Sequence, residues 1–257
     1  MAVSERIVVI GAGNMATSLV MALKKSGNTP VAIWSRTLES ATSLGNMAGC
    51  EYTNDIQALP DADIVIVSVV DSAFLDVAHS VAGRYPLSLI LHTAGSIPMD
   101  MLREAGASRY GVLYPMQTMN KNNIVPFDNV TIFVEGHDEQ ATLSIENLAS
   151  LLSRKVVRAT SEQRCYLHLA AVFACNFPNA VYNMAAEILE RNGLPFDAML
   201  PLIDEAARKV HLMPPAMAQT GPAKRKDHNV MASHQAMLDE DLSEIYAMMS
   251  SYIMKRM

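Results

Sequence analysis

A short apolar run that ends in two glycines constrains the fold of this chain more than any other feature. Residues 6–10 read RIVVI, and GAGNMA follows at once. Gly11 permits a tight turn, Gly13 lets an anionic group approach the backbone, and the small Ala16 allows close packing of helix on strand. The pattern predicts a strand, a glycine turn and a helix whose first N–H groups bind the pyrophosphate of a dinucleotide.

Strands and helices alternate in the N-terminal part of the sequence. Apolar runs of strand length recur with helical segments between them, and one of these helices, over 71–83, has Asp71 or Ser72 as its expected cap. The predicted strands cover 6–10, 31–35, 61–70, 87–93, 110–115, 129–136 and 155–159. This alternation is typical of βαβ units and predicts an α/β fold with a doubly wound, mostly parallel sheet.

The pattern changes after the last predicted strand. The remaining sequence is helical in pattern, rich in Ala and Met, and interrupted by prolines. We therefore expect two domains: an α/β dinucleotide-binding domain of residues 1–159 and an all-helical domain of residues 160–257. No internal repeat and no low-complexity linker separates them.

The end of the second strand bears on the choice of dinucleotide. NAD enzymes usually have a carboxylate there that binds the ribose 2′-hydroxyl, whereas this chain has Trp34-Ser35-Arg36-Thr37. A guanidinium and two hydroxyls suit a 2′-phosphate, which a carboxylate would repel. The segment favours NADP over NAD, although a solvated arginine in a helix-capping loop is compatible with the same residues.

Polar residues follow the later strands, at the edge of an open α/β sheet where ligands bind. Ser96 is a candidate catalytic residue there, or alternatively the cap of a helix that starts at Pro98. The residues predicted to contact the cofactor are Gly11, Ala12, Gly13, Asn14, Met15, Ser35, Arg36, Thr37, Val69, Val70 and Thr93.

A stretch without Asp, Glu, Lys or Arg covers residues 165–186. It is 22 residues long, which is enough to span a bilayer, but it contains His168 and three asparagines. An asparagine amide without a partner in hydrocarbon costs about 4–8 kcal/mol. No basic cluster marks a cytoplasmic flank. We therefore expect a helix buried in protein and no membrane span.

The polar residues of this stretch recur at helical spacing. At 100° per residue, His168, Asn176, Asn179 and Asn183 share one stripe of an otherwise apolar helix. Such a helix is buried, and its stripe faces a cofactor crevice, a polar core network or a subunit interface. Pro178 lacks a backbone N–H and predicts a kink beside the stripe.

A basic segment near the C-terminus is a second candidate site. In TGPAKRKD, Pro222 is predicted to begin a helix, which places three cations in its first turn, where the helix dipole disfavours them. An anion site formed by Arg225 with Asp227 is one interpretation, and a solvated charged turn is the other.

Charge and cysteine usage exclude several other classes of protein. The formal net charge is −6, which argues against binding nucleic acid through a basic surface. Cys50, Cys165 and Cys175 form no CxxC pair or zinc pattern, so we expect reduced thiols, no metal and a cytoplasmic protein. The start of the chain, MAVSERIVVIGAG, lacks the apolar core of a signal peptide.

The combination of GAGNMA, WSRT, HTAGS, LYPMQT, AVFACNFPNAVYN and TGPAKRKD resembles a family of Rossmann-like NADP oxidoreductases with an uncharacterised helical C-terminal domain. These proteins are distant relatives of pyrroline-5-carboxylate reductase, deazaflavin-dependent NADP reductase, and the 6-phosphogluconate and 3-hydroxyacid dehydrogenases. The resemblance implies a Rossmann domain, a helical domain similar to the C-terminal domain of 6-phosphogluconate dehydrogenase, and a homodimer formed through that second domain. It implies no particular substrate.

The chain departs from those dehydrogenases at one catalytic position. The hydroxyacid dehydrogenases carry a lysine near the start of their long interdomain helix and an asparagine four residues on. Here the corresponding helix has His168, Val172 and, one turn later, Asn176. Histidine titrates near neutrality, so His168 could replace the lysine as the proton donor.

The sequence thus predicts a cytoplasmic NADP-dependent oxidoreductase. Hydride would pass between the nicotinamide and a small, anionic substrate held between the domains, with His168, Asn176 and Ser96 as catalytic residues. The predicted substrate-binding residues are Asn179, Asn183, Arg225 and Asp227. Two alternatives stay open: a non-catalytic NADP-binding sensor or scaffold, and hydride exchange with a deazaflavin.

Overall fold

The computed structural model describes residues 5–256 and contains one eight-stranded sheet. The strands are β1 Ile7–Ile10, β2 Ala32–Trp34, β3 Glu51–Thr53, β4 Ile64–Val67, β5 Leu89–His92, β6 Arg109–Pro115, β7 Thr131–Gly136 and β8 Lys155–Arg158. Their order in the sheet is β3-β2-β1-β4-β5-β6-β7-β8. The first six are parallel, β7 is antiparallel to β6, and β8 is parallel to β7. The predicted doubly wound, mostly parallel sheet is confirmed.

Helices cover both faces of this sheet. They are α1 Asn14–Lys25, α2 Leu38–Ala48, α3 Phe74–Arg84, α4 Asp100–Glu104 and α5 Glu139–Leu152. Alternate strand residues point to opposite faces, so Val9 packs in one apolar cluster with residues of α1, α2 and α5, and Val8 in another with residues of α3 and α4. Burial on both faces explains why IVVI, IVIV and LILH are apolar throughout.

The sequence after the sheet is helical, as predicted. It forms α6 Ser161–Ala171, a π-helical turn Val172–Asn176, α7 Phe177–Arg191, α8 Leu200–Leu212, α9 Pro215–Ala218, α10 Pro222–Arg225, α11 His228–Gln235 and α12 Glu240–Arg256. A capping box between Thr160 and Gln163 begins α6. The chain divides into two compact units, the first ending at Cys175 and the second starting at Asn176. The predicted boundary after residue 159 follows the last strand, but α6 belongs to the first unit.

The π-helical turn precedes Pro178, in the segment where the sequence predicted a kink. Pro178 stands near the start of α7, where its missing N–H is tolerated. A π turn contains more residues than an α turn, so a count of 100° per residue does not hold through Val172–Asn176. The count therefore no longer supports a single polar stripe from His168 to Asn183, which stays a prediction.

The apolar helix over 165–186 is not buried in the single chain. Leu169, Phe173 and Phe177 are 53%, 64% and 50% exposed, so one chain alone does not bury the helix, and its burial against a second subunit stays a prediction. In the second unit, buried side chains are few: among residues 176–256 they are Ala223, Met231 and Ser250. Within the described range 5–256, no helix combines the length and the apolar character that a membrane crossing requires.

A histidine lies inside the sheet itself. His92 ends β5 with no exposed surface; its Nδ1 accepts the N–H of Ala94 at 3.2 Å, and its Nε2 has no partner among the described residues. Burial, assisted by the nearby positive charge of Arg164, lowers the pKa of His92 to about 3. The side chain is therefore neutral in the folded protein at physiological pH.

This burial predicts acid sensitivity. An unfolded His92 titrates near pH 6.5, so below that pH the unfolded state binds a proton that the folded state excludes, and stability falls. From pH 7 to pH 5 the loss due to His92 is about 2 kcal/mol. His92→Asn, which can still accept the Ala94 N–H, should lack this component when urea unfolding is followed at both pH values. An equal pH-dependent loss in both proteins would contradict the assignment.

Candidate functional site

The strand order reverses between β1 and β4, and the carboxyl ends of these strands form the first part of the site. Gly11 follows β1 with φ +125°, and a Cβ built there would lie 2.1 Å from the carbonyl oxygen of Ser68. Its N–H donates to the carbonyl of Trp34 at 2.7 Å. Backbone from three strands therefore meets at Gly11, and no side chain fits.

Gly13 leaves the start of α1 open. It is the N-cap residue, makes no side-chain cap, and a Cβ built on it would meet no atom within 4 Å. Ala16 is fully buried and lets α1 approach the sheet, while Ala12 and Met15 are half-buried. The first N–H groups of α1 are thus available to an anion.

Asn14 has a local role as well. Its side-chain oxygen accepts the backbone N–H of Lys121 at 3.1 Å, which attaches the β6–β7 loop to the first residue of α1. The Asn14 side chain, which the sequence assigned to the cofactor, therefore holds a loop next to the glycine turn.

The end of β2 presents one cation. Ser35 is buried and its N–H donates to the Thr53 carbonyl, while Arg36 is exposed. Across residues 5–256 the Arg36 guanidinium makes no hydrogen bond or ion pair. Thr37 is the N-cap of α2, accepting the Ser40 N–H at 3.4 Å and donating to the Ser40 hydroxyl at 2.9 Å. Thr37 thus caps a helix, as the alternative interpretation held, and Arg36 remains available to an anion.

Two hydroxyl groups connect the loops that follow β4 and β5. The buried Thr93 hydroxyl donates to Ser68 Oγ at 2.9 Å, and the Ser96 hydroxyl donates to the Asp71 carboxylate at 2.5 Å. Val70, between them, is 66% exposed and Val69 is half-buried. The loops after β4 and β5 together present polar and apolar surface at the carboxyl ends of the strands.

The expected caps in this region are wrong. Asp71 lies in a 3₁₀ turn, and α3 begins at Phe74 without a side-chain cap because the Asp71 carboxylate accepts Ser96 instead. The helix after Pro98 begins at Asp100 with Met99 before it, so Ser96 does not cap it.

A buried arginine fixes the shape of the loop after β5. Arg164 is 1% exposed and donates Nη1 to the Glu135 carboxylate at 2.6 Å, Nε to the Ala94 carbonyl at 3.1 Å, and Nη2 to the Ile97 carbonyl. Glu135 also accepts the N–H and the hydroxyl of Ser161. These bonds join α6, β7 and the loop into one network and satisfy a charge that would otherwise be costly to bury.

Sequence reasoning missed Arg164 and Glu135. Arg164 is the last charged residue before the charge-free stretch and lies four residues before His168, one helical turn away. An isolated arginine at the edge of an apolar helix indicates a buried partner. The partner itself could not have been identified, because it lies 29 residues away on a different element.

His168 lies directly against the loop that Arg164 holds. A Cβ on Gly95 would lie 2.7 Å from its Nδ1 and 2.8 Å from its Cγ, so only glycine leaves room for the ring. The Tyr114 hydroxyl is 3.2 Å from Nδ1, with the two rings edge to face. Burial raises the pKa of the Tyr114 phenol. His168 itself is exposed, so an imidazole stands at the carboxyl edge with one nitrogen held by the protein.

The structure therefore brings together part of the predicted site. His168, Ser96 and Thr93 belong to one edge of the first unit, since the loop over 93–96 contacts the His168 ring through Gly95. Within the described chain, residues 5–256, there is no group of three or more His, Cys, Asp or Glu side chains that could hold a metal ion.

The remaining predicted site residues belong to the second unit. Asn176 and Asn179 are exposed and make no side-chain hydrogen bond within residues 5–256. Asn183 donates to Glu187 at 2.7 Å, and Asp227 caps α11 by accepting the Val230 N–H at 3.2 Å. Two of the four side chains are therefore already engaged in helix-stabilising bonds.

The basic segment differs from its prediction. The helix α10 has four residues, with Lys224 and Arg225 in its last turn and Lys226 as a left-handed C-cap at φ 57°. Cations at a helix C-terminus are favourable, so the expected conflict with the helix dipole is absent and does not argue for an anion site.

Comparison with known proteins places this geometry in a family. A crystal structure from Bacteroides fragilis, of a protein provisionally named an NADP oxidoreductase, has 46% sequence identity and a TM-score of 0.93, covering 98% of this chain and 99% of that one. A reductive aminase from Aspergillus terreus, in complex with NADPH and ethyl-5-oxohexanoate, has 18% identity and a TM-score of 0.73, covering 98% and 94% of the two chains. The second likeness shows the fold alone.

A curated relative matches part of the chain. The pyrroline-5-carboxylate reductase of Pseudomonas aeruginosa is 36% identical over 105 residues, 38% of this chain and 38% of its own length. Two family models also match: "NADP oxidoreductase coenzyme F420-dependent" over residues 6–91, and "Domain of unknown function (DUF2520)" over residues 130–253. The resemblance seen in the sequence is confirmed: the chain belongs to the family of NADP oxidoreductases represented by the Bacteroides fragilis protein, and it is an oxidoreductase whose cofactor is NADP.

Proposed function

We propose that this protein transfers a hydride between the nicotinamide of NADP and a small anionic substrate, reducing a C=N or C=O bond in one direction. The observation that carries the proposal is the imidazole of His168, held against Gly95 at the same sheet edge as the glycine turn. An open helix start for phosphate and a titratable side chain at one edge are what such a reaction needs.

The cofactor would bind along the carboxyl ends of the parallel strands. Its pyrophosphate would lie on Gly13 and the first N–H groups of α1, and its 2′-phosphate would pair with Arg36. The rest of the cofactor would lie along Ser35, Thr37, Val69 and Val70. The Thr93 hydroxyl is buried and bound to Ser68, so Thr93 would support this surface through Ser68.

His168 would complete the chemistry. Bound NADPH would supply the hydride for the carbon of the double bond. His168 would donate a proton to the nitrogen or oxygen, and water would replace that proton. Ser96, whose hydroxyl is bound to Asp71, is better placed to hold the loop than to move a proton. We assign it a supporting role.

An imine is the first substrate class to test. The Pseudomonas relative is named for pyrroline-5-carboxylate, a cyclic imine that carries a carboxylate. The sequence predicts that Asn176, Asn179 and Arg225 bind such an anion, and this assignment stays a prediction. Asn183 and Asp227 are weaker candidates, because each already makes a hydrogen bond inside its own helix.

Coenzyme F420 is the second candidate substrate. It is favoured by one observation, the match of residues 6–91 to the model described as F420-dependent. Hydride exchange with a deazaflavin would use the same nicotinamide site without needing the imidazole proton donor. Membership in an oxidoreductase family argues against the remaining alternative, a sensor or scaffold without catalysis.

We also propose that the protein is a homodimer. The second unit exposes large apolar side chains, including Leu202 at 65% and Met237 at 78%, and buries few of its own. A helical unit that exposes many large apolar side chains and buries few is typical of one that another chain covers.

Removing the cation at the end of β2 should change cofactor preference. Arg36→Ala is expected to weaken NADPH binding by about 10- to 100-fold and NADH binding by much less, because only NADPH carries the 2′-phosphate. Fluorescence titration of each cofactor measures both. Arg109→Ala, at the amino end of β6 on the opposite edge, is the control and should change neither. Equal weakening of both cofactors by Arg36→Ala would remove Arg36 from phosphate recognition.

Loss of the imidazole should remove turnover but not cofactor binding. His168→Gln is expected to lower kcat for imine or keto-acid reduction by about 10²- to 10⁴-fold with an unchanged Kd for NADPH. The assay follows NADPH consumption with a panel of cyclic imines, keto acids and oxidised deazaflavin. His79→Gln, on the exposed side of α3, serves as the control. Undiminished turnover in His168→Gln would exclude His168 as proton donor, and turnover with the deazaflavin alone would support the second candidate.

The dimer can be tested by sedimentation. Wild-type protein should sediment as a dimer, and Leu202→Glu should raise its dissociation constant about tenfold or more by placing a charge in an apolar interface. Asp204→Lys, on the same helix, tests for a general effect of charge change. A wild-type protein that sediments as a monomer at micromolar concentration would contradict the proposal.

A further inference from the structure

Tyr114 is the side chain that contacts Nδ1 of His168, the nitrogen of the proposed proton donor that faces the protein. It lies near the end of β6, is 6% exposed, and places its hydroxyl 3.2 Å from Nδ1 of His168. In the sequence it stands only at the end of the predicted strand over 110–115. Its contact with His168 bears on the state of that ring, and the role inferred from it rests on the proposed function of His168.

The direction of this hydrogen bond follows from what else surrounds the hydroxyl. Within residues 5–256 the Tyr114 hydroxyl has His168 Nδ1 as its hydrogen-bond partner. If Nδ1–H donated to the phenol oxygen, the phenol hydrogen would have no protein acceptor, and a buried unsatisfied donor costs about 1–3 kcal/mol. If the phenol donates, both groups are satisfied. The pKa of the phenol, raised by burial, agrees with a protonated donor.

A donating phenol decides where the imidazole proton lies. A neutral imidazole has one N–H and one acceptor nitrogen, and the hydrogen bond made by one nitrogen sets the state of the other. With Nδ1 accepting, the proton is on Nε2. That nitrogen lies on the ring edge that neither Tyr114 nor Gly95 occupies.

The ring is also fixed in position. Gly95 leaves only enough room for the His168 side chain, since a Cβ there would lie within 2.9 Å of its Nδ1, Cγ and Cβ atoms. Leu167, next to His168 on α6, packs in the small apolar cluster that includes Tyr114 and Phe133. Loop, strand and helix therefore define both the location and the orientation of the ring.

We propose that Tyr114 is a positioning residue that holds the neutral His168 as the Nε2–H tautomer, with this N–H offered to the substrate atom that receives the proton. As Nε2 gives up its proton, Nδ1 takes the phenol proton of Tyr114, so the ring stays neutral and water returns a proton to the phenolate. The tautomer matters because an imidazole with its proton on Nδ1 would present a lone pair to that atom and could not donate. Tyr114 touches neither substrate nor cofactor in this account. Its effect on the reaction passes through the histidine.

The decisive experiment reads the tautomer directly. ¹⁵N NMR of histidine-labelled wild-type protein, without substrate, should show His168 with a protonated Nε2 and a hydrogen-bonded, unprotonated Nδ1. Tyr114→Phe keeps the buried ring and removes the donor, so the Nδ1 signal should lose its hydrogen-bond shift. We expect kcat to fall about tenfold, with KM for NADPH unchanged, because the cofactor site is not altered.

Tyr110→Phe is the matched control. Tyr110 lies on the same strand and stacks on His137 with 4.8 Å between ring centroids, but its hydroxyl makes no hydrogen bond to that ring. This variant should leave the His168 spectrum and kcat unchanged.

The outcomes separate this inference from the proposed function. A wild-type His168 with its proton on Nδ1, or a Tyr114→Phe variant with unchanged spectrum and kcat, would overturn the inference. If Tyr114→Phe does not fold, the wild-type spectrum alone can overturn the inference. If the tautomer is Nε2–H but His168→Gln retains full turnover, the positioning by Tyr114 stands and the proposed function fails.

Discussion

The buried ion pair between Arg164 and Glu135 is the interaction on which the site depends. Arg164 has almost no exposed surface, and its charge is tolerated because a carboxylate and two loop carbonyls accept its donors. Removing either partner would leave an uncompensated buried charge, a loss of about 3–5 kcal/mol. The pair joins the start of α6 to β7 and to the loop after β5. His168 lies one turn along α6, so its position relative to Gly95 follows from this bond.

The sheet order explains why the other half of the site lies on the same edge. In the order β3-β2-β1-β4-β5-β6, connections leave β1 and β4 in opposite directions, and a crevice opens where they part. The glycine turn, the open start of α1 and the loops after β4 and β5 all lie at the carboxyl ends of these strands. The strands and helices that build the fold therefore also form the site. Backbone N–H groups and the dipole of α1 would bind the phosphate, and α6 carries the proton donor His168.

Features set by local sequence were predictable, and features set by tertiary contact were not. The glycine turn, the strands and the alternation with helices follow from short-range patterns, as do Arg36 and His168 as candidates. Strand β3 was missed because it has three residues and no fully buried side chain. The π turn made the count of 100° per residue invalid along the helix. Because α10 has four residues, its cations lie at its C-terminus, where the helix dipole favours them. Glu135, Tyr114 and Gly95 gained their roles only through pairing across distant elements.

A crystal structure with NADP bound would show whether the glycine turn and His168 serve one site. We expect the pyrophosphate on Gly13 and the first turn of α1, the 2′-phosphate paired with Arg36, and the nicotinamide C4 facing a space bordered by the His168 imidazole. A nicotinamide that lies away from the loop after β5, with His168 on the far side of the protein from C4, would contradict it. In that case the ordered histidine, tyrosine and glycine would have a structural role, and another group would have to supply the proton.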